Sequence, residues 1–193
     1  MFYRWLFTSL FLLMWGGWLA LWIYMARGVK VAEQAESALS RLSHLGPLLV
    51  GAYLLAAPAP LPLPLLNGRF VPLAVWPAAL GAALTFAGLA FSVWARFTIA
   101  ANWSGDVQLK RDHELIVAGP YAHVRHPIYT GILMMFAGTA LAVGEWRAAL
   151  AVVLAAAAFW RKLNLEEAVM RRQFGEAYER YAARVPALIP FVG

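Results

Sequence analysis

The segment GPYAHVRHPIYTG, residues 119–131, gathers one Arg, two His and two Tyr at the mouth of an apolar run, Ile128 to Val143. Gly119-Pro120 reads as a turn. His126-Pro127 places a proline in the first turn of the helix that follows, where its missing N–H costs nothing. A helix N-terminus presents free N–H groups that hold an anion, and Arg125, His123 and His126 would add to that attraction. Tyr121 and Tyr129 bring hydroxyls and flat faces, suited to a purine or a sulfonium.

A second group lies in WRKLNLEEAVMRRQFGEAYERYAARVP, residues 160–186. On a helix Lys162 and Glu166 are four apart and share one face. A carboxylate at a membrane boundary pairs strongly with a cationic group, because the dielectric there is low. Taken singly, each residue has a plainer reading. Arg125 would be a topology anchor, the histidines interfacial residues, and the Glu166-Glu167 helix a solvated surface with Leu165, Val169, Tyr178, Tyr181 and Val185 on its apolar side. Their density at one boundary is what favours a site.

The elements that must position these groups are membrane helices. Of 193 residues, 62% are hydrophobic, well above the roughly 45–50% apolar share of a soluble domain. Several runs approach the ~20 apolar residues that cross a bilayer. The expected fold class is an all-α polytopic membrane protein with spans at about 5–26, 45–57, 73–97, 128–143 and 146–163. An amphipathic helix over 164–185 follows, closed by Val185-Pro186. The second span is short, and PAPLPLPLLNG ends it. Before it, VKVAEQAESALSRLSHL reads as a short surface helix. Trp5–Ala26 is too long for a signal-peptide core and reads as a retained span. The organisation is one membrane domain, 1–193, with N-terminal helices over 1–100 and a site-bearing core over 101–193. Small residues in AALGAALTFAGLAF allow close helix approach. Trp5, Trp22, Trp76, Trp94, Trp146 and Trp160 fall near span ends, as interfacial aromatics do.

Charge sets orientation. The net charge of +6 is the mark of cationic loops facing anionic lipid rather than of nucleic-acid binding. With five spans, 13 Lys and Arg lie on one side and Arg4, Arg69 and Arg147 on the other. The N-terminus is then outside, and both polar clusters face the cytoplasm. Were the second span not to cross, the split would be 11 to 5, with the clusters still together. The chain has no cysteine, which excludes disulfides and thiolate catalysis. Its four histidines include no H-E-x-x-H pair, so no metal is expected. Spans 1, 3, 4 and 5 carry no charged residue at their centres, which argues against a transporter or similar non-enzymatic role.

GPYAHVRHPIYTG followed by EEAVMRRQFGEAYERYAARVPALIPF resembles the isoprenylcysteine carboxyl methyltransferase family. That family's pattern is G-x-Y-x-x-x-R-H-P-x-Y-x-G, a helical hairpin, E-E, F-G-x-x-Y and V-P. The match runs over roughly residues 102–192. It implies S-adenosylmethionine as methyl donor, bound without a Rossmann domain, and the chain contains no G-x-G spacing of the kind a Rossmann loop uses. His113, Glu114, Leu115, Ile116, Tyr121, His126, Pro127, Ile128, Tyr129 and Glu166 fall on cofactor-binding positions, with Arg125 among them. Lys162 falls where the family has a substrate-binding Arg, and Arg161 is the alternative for that role, since Lys lacks the bidentate fork.

The implied reaction is S-adenosylmethionine-dependent methyl transfer to a lipophilic acceptor, foremost the carboxylate of an isoprenylcysteine-like substrate. A carboxylate is ionised at neutral pH and needs no base. An amine acceptor would need one, and Glu167 or His126 would serve. The expected partners are membrane lipids and a lipophilic or lipidated substrate entering sideways from the bilayer. Small size and Ala/Arg/Leu-rich composition suggest a prokaryotic plasma membrane. The alternatives are a phospholipid or small-lipid methyltransferase, and an NADPH-dependent membrane reductase in which Lys110, Arg111 and Arg125 would meet the 2′-phosphate.

Overall fold

The computed structural model describes residues 2–27, 37–57, 61–99 and 115–190. In chain order these form α1 (Phe2–Ala26), α2 (Ala38–Ala56), the one-turn α3 (Pro64–Asn67), α4 (Val75–Ile99), a single 3-10 turn (Gly119–Ala122), α5 (Pro127–Val143), α6 (Trp146–Phe174) and α7 (Glu176–Ala182). Every regular element among the described residues is helical; one isolated bridge joins Arg69 to Glu145. Helix is what a chain so apolar must form, because lipid offers no partner to an unpaired backbone N–H or C=O. Helices α1, α4 and α6 are long and apolar enough to cross a membrane, and α5 is a shorter apolar helix. The protein is an all-α integral membrane protein, as its sequence implies.

Two boundaries differ from expectation. The polar stretch before the second span does not make a separate surface helix over its described part: residues 38–44 are the first turns of α2 itself. Ser37 caps that helix by accepting from the Ser40 N–H, and Pro47 is accommodated inside it. Its 19 residues extend about 28 Å, close to the ~30 Å hydrocarbon thickness of a bilayer. Helix α2 lies antiparallel to α6, with Ser43 bonded to Arg161 and the Leu54 carbonyl to Arg147.

The second correction concerns 164–185, which is not one helix following the last span. Helix α6 runs on without interruption to Phe174, because nothing between 163 and 174 breaks it. Its 29 residues extend about 43 Å, so its last turns project beyond a ~30 Å hydrocarbon layer. The break comes at Gly175, whose φ of 50° suits a residue without a Cβ; α7 then starts in a new direction.

The closest packing is between α4 and α5. A Cβ built on Gly81 would lie 2.4 Å from the Gly138 carbonyl, and one on Gly88 would lie 2.4 Å from that of Gly131. Two glycine pairs seven residues apart on each helix thus bring the antiparallel backbones into contact, as small residues do where lipid competes equally for apolar surface. Thr85 sits buried between them and reaches the Met135 carbonyl at 3.4 Å. Helix α1 docks on this pair through Trp15, whose indole N–H donates to Thr139 at 3.1 Å, and Trp18, which donates to Ser92 at 3.2 Å.

At the bundle end remote from the polar clusters, Arg147 ties three segments together. Its guanidinium meets Glu145 at 2.6 Å and the Leu54 carbonyl at 2.6 Å, while Arg69 pairs with Glu145 at 3.6 Å. These two arginines, expected on the sparsely charged side, have structural partners there.

Candidate functional site

The two polar clusters meet at one end of the bundle. The 3-10 turn, the start of α5, the projecting half of α6, α7 and residues 183–190 enclose them. Gly119 takes φ +60°, a left-handed conformation that glycine adopts without strain. The turn it opens buries Pro120 and Tyr121. Pro127 then opens α5, and the preceding N–H groups find partners in the C-terminal segment. Arg125 N–H donates to the Pro186 carbonyl at 2.8 Å and His126 N–H to that of Ala187 at 3.0 Å. The Thr130 hydroxyl donates to the Leu188 carbonyl at 2.7 Å. Residues 186–188 therefore form a strap across the start of α5.

Phe159, Lys162 and Glu166 occupy one face of α6, spaced three and four apart. Against them α5 presents Tyr129, whose hydroxyl donates to Glu166. The Tyr129 ring lies parallel to His126, centroids 5.5 Å apart, and nearly parallel to Phe159, at 4.7 Å. Lys162 Nζ stands 5.7 Å from the same ring centroid and 4.0 Å from Glu166. Tyr121 is buried at 7% exposure, and the half-buried Tyr129 ring stacks with His126 and Phe159. What Tyr129 contributes is its hydroxyl.

His126 joins the two carboxylates. Its Nδ1 is 3.5 Å from Glu166 and its Nε2 3.3 Å from Glu167. A neutral imidazole has one N–H and donates to one partner; an imidazolium donates to both. Burial disfavours the charged ring, but the hydrogen bonds it donates to Glu166 and Glu167, with the charges of these carboxylates, outweigh it and raise the His126 pKa above its ordinary 6.5. Burial also raises the Tyr181 phenol to about 12, which keeps it protonated to donate to the Tyr121 carbonyl at 2.7 Å.

Glu167 is committed to cations. Arg125 approaches one of its oxygens at 2.8 and 2.7 Å, and Arg171 approaches the other at 3.0 Å. Arg125 donates further to the Ala182 and Val185 carbonyls. The structure thus turns Arg125 towards Glu167 and the strap, and leaves Glu167, 3% exposed, with both oxygens occupied. Arg161 bonds to Ser43 of α2, in a groove it shares with Ser37 and Ser40, whereas Lys162 faces Glu166. Pro127 and Ile128 are buried in the core, and Ile116 packs against it. Leu115 is partly exposed in an irregular segment, and His113 and Glu114 lie outside the described residues.

Three contributors were not singled out from the sequence. Arg171, Phe159 and the strap each shape the site. The first two carried a signal: Arg171 is four residues from Glu167, and Phe159 precedes Lys162 by three. The strap carried only Val185-Pro186, which reads as a helix end and not as a contact with α5.

Fold and geometry define a helical integral membrane protein with a carboxylate, imidazole and ammonium cluster at one end of the bundle. A family model described as Phospholipid methyltransferase matches residues 76–177, and the chain belongs to that family. Curated relatives carry the narrower name read from the motifs. A protein-S-isoprenylcysteine O-methyltransferase of Schizosaccharomyces pombe is 36% identical over 83 residues, 42% of this chain and 35% of the relative. Protein-S-isoprenylcysteine O-methyltransferase B of Arabidopsis thaliana is 28% identical over 120 residues, 61% of each chain. This chain therefore matches about a third to three-fifths of their length. A solved eukaryotic intramembrane Ras methyltransferase, an isoprenylcysteine carboxyl methyltransferase, superposes with a TM-score of 0.57 at 18% identity, covering 95% of this chain and 68% of that one. That likeness is one of fold.

Proposed function

We propose that the protein is an S-adenosylmethionine-dependent methyltransferase that esterifies the carboxylate of an isoprenylcysteine-like lipophilic acceptor. The observation that carries the reading is Lys162 and Glu166 on one face of α6, opposite His126 and Tyr129. The donor set fits the cofactor: Glu166 matches its cationic amino end, and the buried, aromatic surroundings strengthen such pairing by excluding water. When bound, S-adenosylmethionine supplies a methyl group already activated by the sulfonium.

The residues then have positioning work alone. Glu166 orients the cofactor, Lys162 draws the acceptor carboxylate to it, and no side chain has to remove a proton, because the carboxylate is already ionised. Holding both partners in line and excluding water supplies the catalysis. Lys162 takes the acceptor role in preference to Arg161, which turns to α2. Glu167 and Arg125 support the site from behind. The acceptor's tail enters from the bilayer between helices. The whole chain acts as one membrane domain, with Leu115, Ile116 and the preceding His113 and Glu114 completing the cofactor site.

Orientation follows from charge. Arg27, Arg41, Arg96, Arg125, Arg161 and Lys162 gather at the site end and Arg69 and Arg147 at the other, so the site faces the cytoplasm, with the N-terminus outside. The Ala/Arg/Leu-rich composition is the ground for assigning the protein to the plasma membrane of a prokaryote.

The test is transfer of labelled methyl from S-adenosylmethionine to an S-prenylated cysteine derivative by the purified chain. A carboxyl ester releases its label as volatile methanol in alkali, whereas an N-methyl product retains it. Alkali-volatile product is expected; alkali-stable product, or transfer only to phospholipid, would overturn the acceptor assignment.

A further inference from the structure

Glu166 is not held by its own helix alone. It accepts from the Tyr129 hydroxyl, and His126 Nδ1 and Lys162 Nζ face it at 3.5 and 4.0 Å. The same imidazole turns Nε2 to Glu167 at 3.3 Å, and Glu167 is itself fixed by Arg125 and Arg171. A glutamate carboxylate sits at the end of three rotatable bonds, so its direction is set by what grips it.

We propose that His126 and Glu167 are positioning residues: the imidazole, anchored through Nε2 on the arginine-held Glu167, fixes through Nδ1 the direction in which Glu166 takes the cationic end of S-adenosylmethionine. The inference deepens the cofactor reading above and rests on it. The geometry separates this role from direct cofactor contact by the ring. Both nitrogens of His126 are engaged, Tyr129 covers one ring face, and the side chain is 10% exposed.

The relay works only while the ring carries both protons, since a neutral imidazole would have to release one carboxylate. The groups around it are Glu166 and Glu167, with Lys162 and Arg171 beyond them on α6. Arg125 and Tyr129 flank it in sequence, and Tyr178 of α7 packs 5.7 Å from the Arg171 guanidinium. Among these, an imidazole is the group that ordinarily titrates near neutrality, so cofactor affinity inherits its titration.

The experiment is calorimetric titration of the full chain in detergent with S-adenosylhomocysteine from about pH 6 to pH 9, the range that brackets an upward-shifted imidazole. Wild type, His126→Asn and Glu167→Gln are compared, with thermal unfolding recorded for each. Wild-type affinity is expected to fall about tenfold across the ring's titration, the effect of losing one charged hydrogen bond. His126→Asn, which donates from one nitrogen, is expected to bind about tenfold more weakly at the acid end and without pH dependence. Glu167→Gln is expected to move the midpoint to lower pH, because it removes a carboxylate that favours the charged ring. Should His126→Asn not fold, the wild-type and Glu167→Gln profiles carry the test.

A flat wild-type profile, or a folded His126→Asn with wild-type affinity and profile, would overturn the proposal while leaving the cofactor reading standing. A wild type that binds no S-adenosylhomocysteine at any pH would overturn that reading and the proposal with it.

Discussion

Arg125 and Glu167 form a buried ion pair that ties the segment leading into α5 to α6, with guanidinium nitrogens 2.8 and 2.7 Å from one carboxylate oxygen. The side chains are 13% and 5% exposed, and removing Arg125 leaves buried Glu167 with Arg171 and His126 as its remaining partners. Arg125→Ala is therefore expected to destabilise the protein by about 1–3 kcal/mol, the loss of charged hydrogen bonds without a fully stranded charge, read as a lower melting temperature in detergent. Arg125→Lys loses the fork that also reaches the Ala182 and Val185 carbonyls, and should fall between. An Arg125→Ala protein as stable as wild type would remove the strap from the account.

The glycine pairs between α4 and α5 predict a steep local cost. In Gly138→Ala the new methyl would meet the Gly81 carbonyl at 2.5 Å, and separating the helices to make room should cost about 1–3 kcal/mol. Gly16→Ala is the control: nothing lies within 4 Å of its Cβ position, and alanine is the better helix former by roughly 1 kcal/mol. Thermal unfolding of the two variants should move in opposite directions.

Lys162 and its neighbour Arg161 should separate in kinetics. Lys162→Met is expected to raise the acceptor KM about tenfold, the loss of one charge-assisted contact, while S-adenosylhomocysteine affinity is retained. Arg161→Met, whose partner is Ser43, should leave acceptor KM within about twofold, as for an exposed pair. The reverse pattern would exchange the two roles.

Stability should depend on pH through His126. Its pKa is raised in the folded protein above 6.5 by Glu166 and Glu167, against the opposing effect of burial. The folded state thus binds the proton more tightly than the unfolded one. The stabilisation is fully present below about pH 6.5 and is lost as pH rises through the higher folded value. The melting-temperature difference between wild type and His126→Asn should shrink over that window. A difference that grew with pH would show the ring to be neutral in the folded protein.

How much of this was legible in the sequence depends on how local each feature is. Lys162 and Glu166 are one helical turn apart, and His126-Pro127-Ile128-Tyr129 opens a helix, so both clusters were visible as patterns. Small residues in α4 were visible too, but not that Gly81 would meet Gly138, since pairing across helices depends on which faces the whole bundle turns inward. The run of α6 through Phe174 was hidden because polar residues after 163 mark a change of solvent, not a break in the backbone; Gly175 supplies the break. The strap was illegible for the same reason as the glycine pairs. Pro186, Ala187 and Leu188 engage through backbone carbonyls, which carry no residue signature. The stacking of Tyr129 on Phe159 of α6 comes from packing between helices that no spacing rule anticipates.

The central claim is that Glu166 holds the methyl donor. Calorimetric titration of the detergent-purified chain with S-adenosylhomocysteine, beside NADPH, tests it most directly. Saturable binding of S-adenosylhomocysteine that Glu166→Ala abolishes, with no binding of NADPH, is expected. Undiminished affinity in a folded Glu166→Ala protein, or binding of NADPH alone, would contradict it.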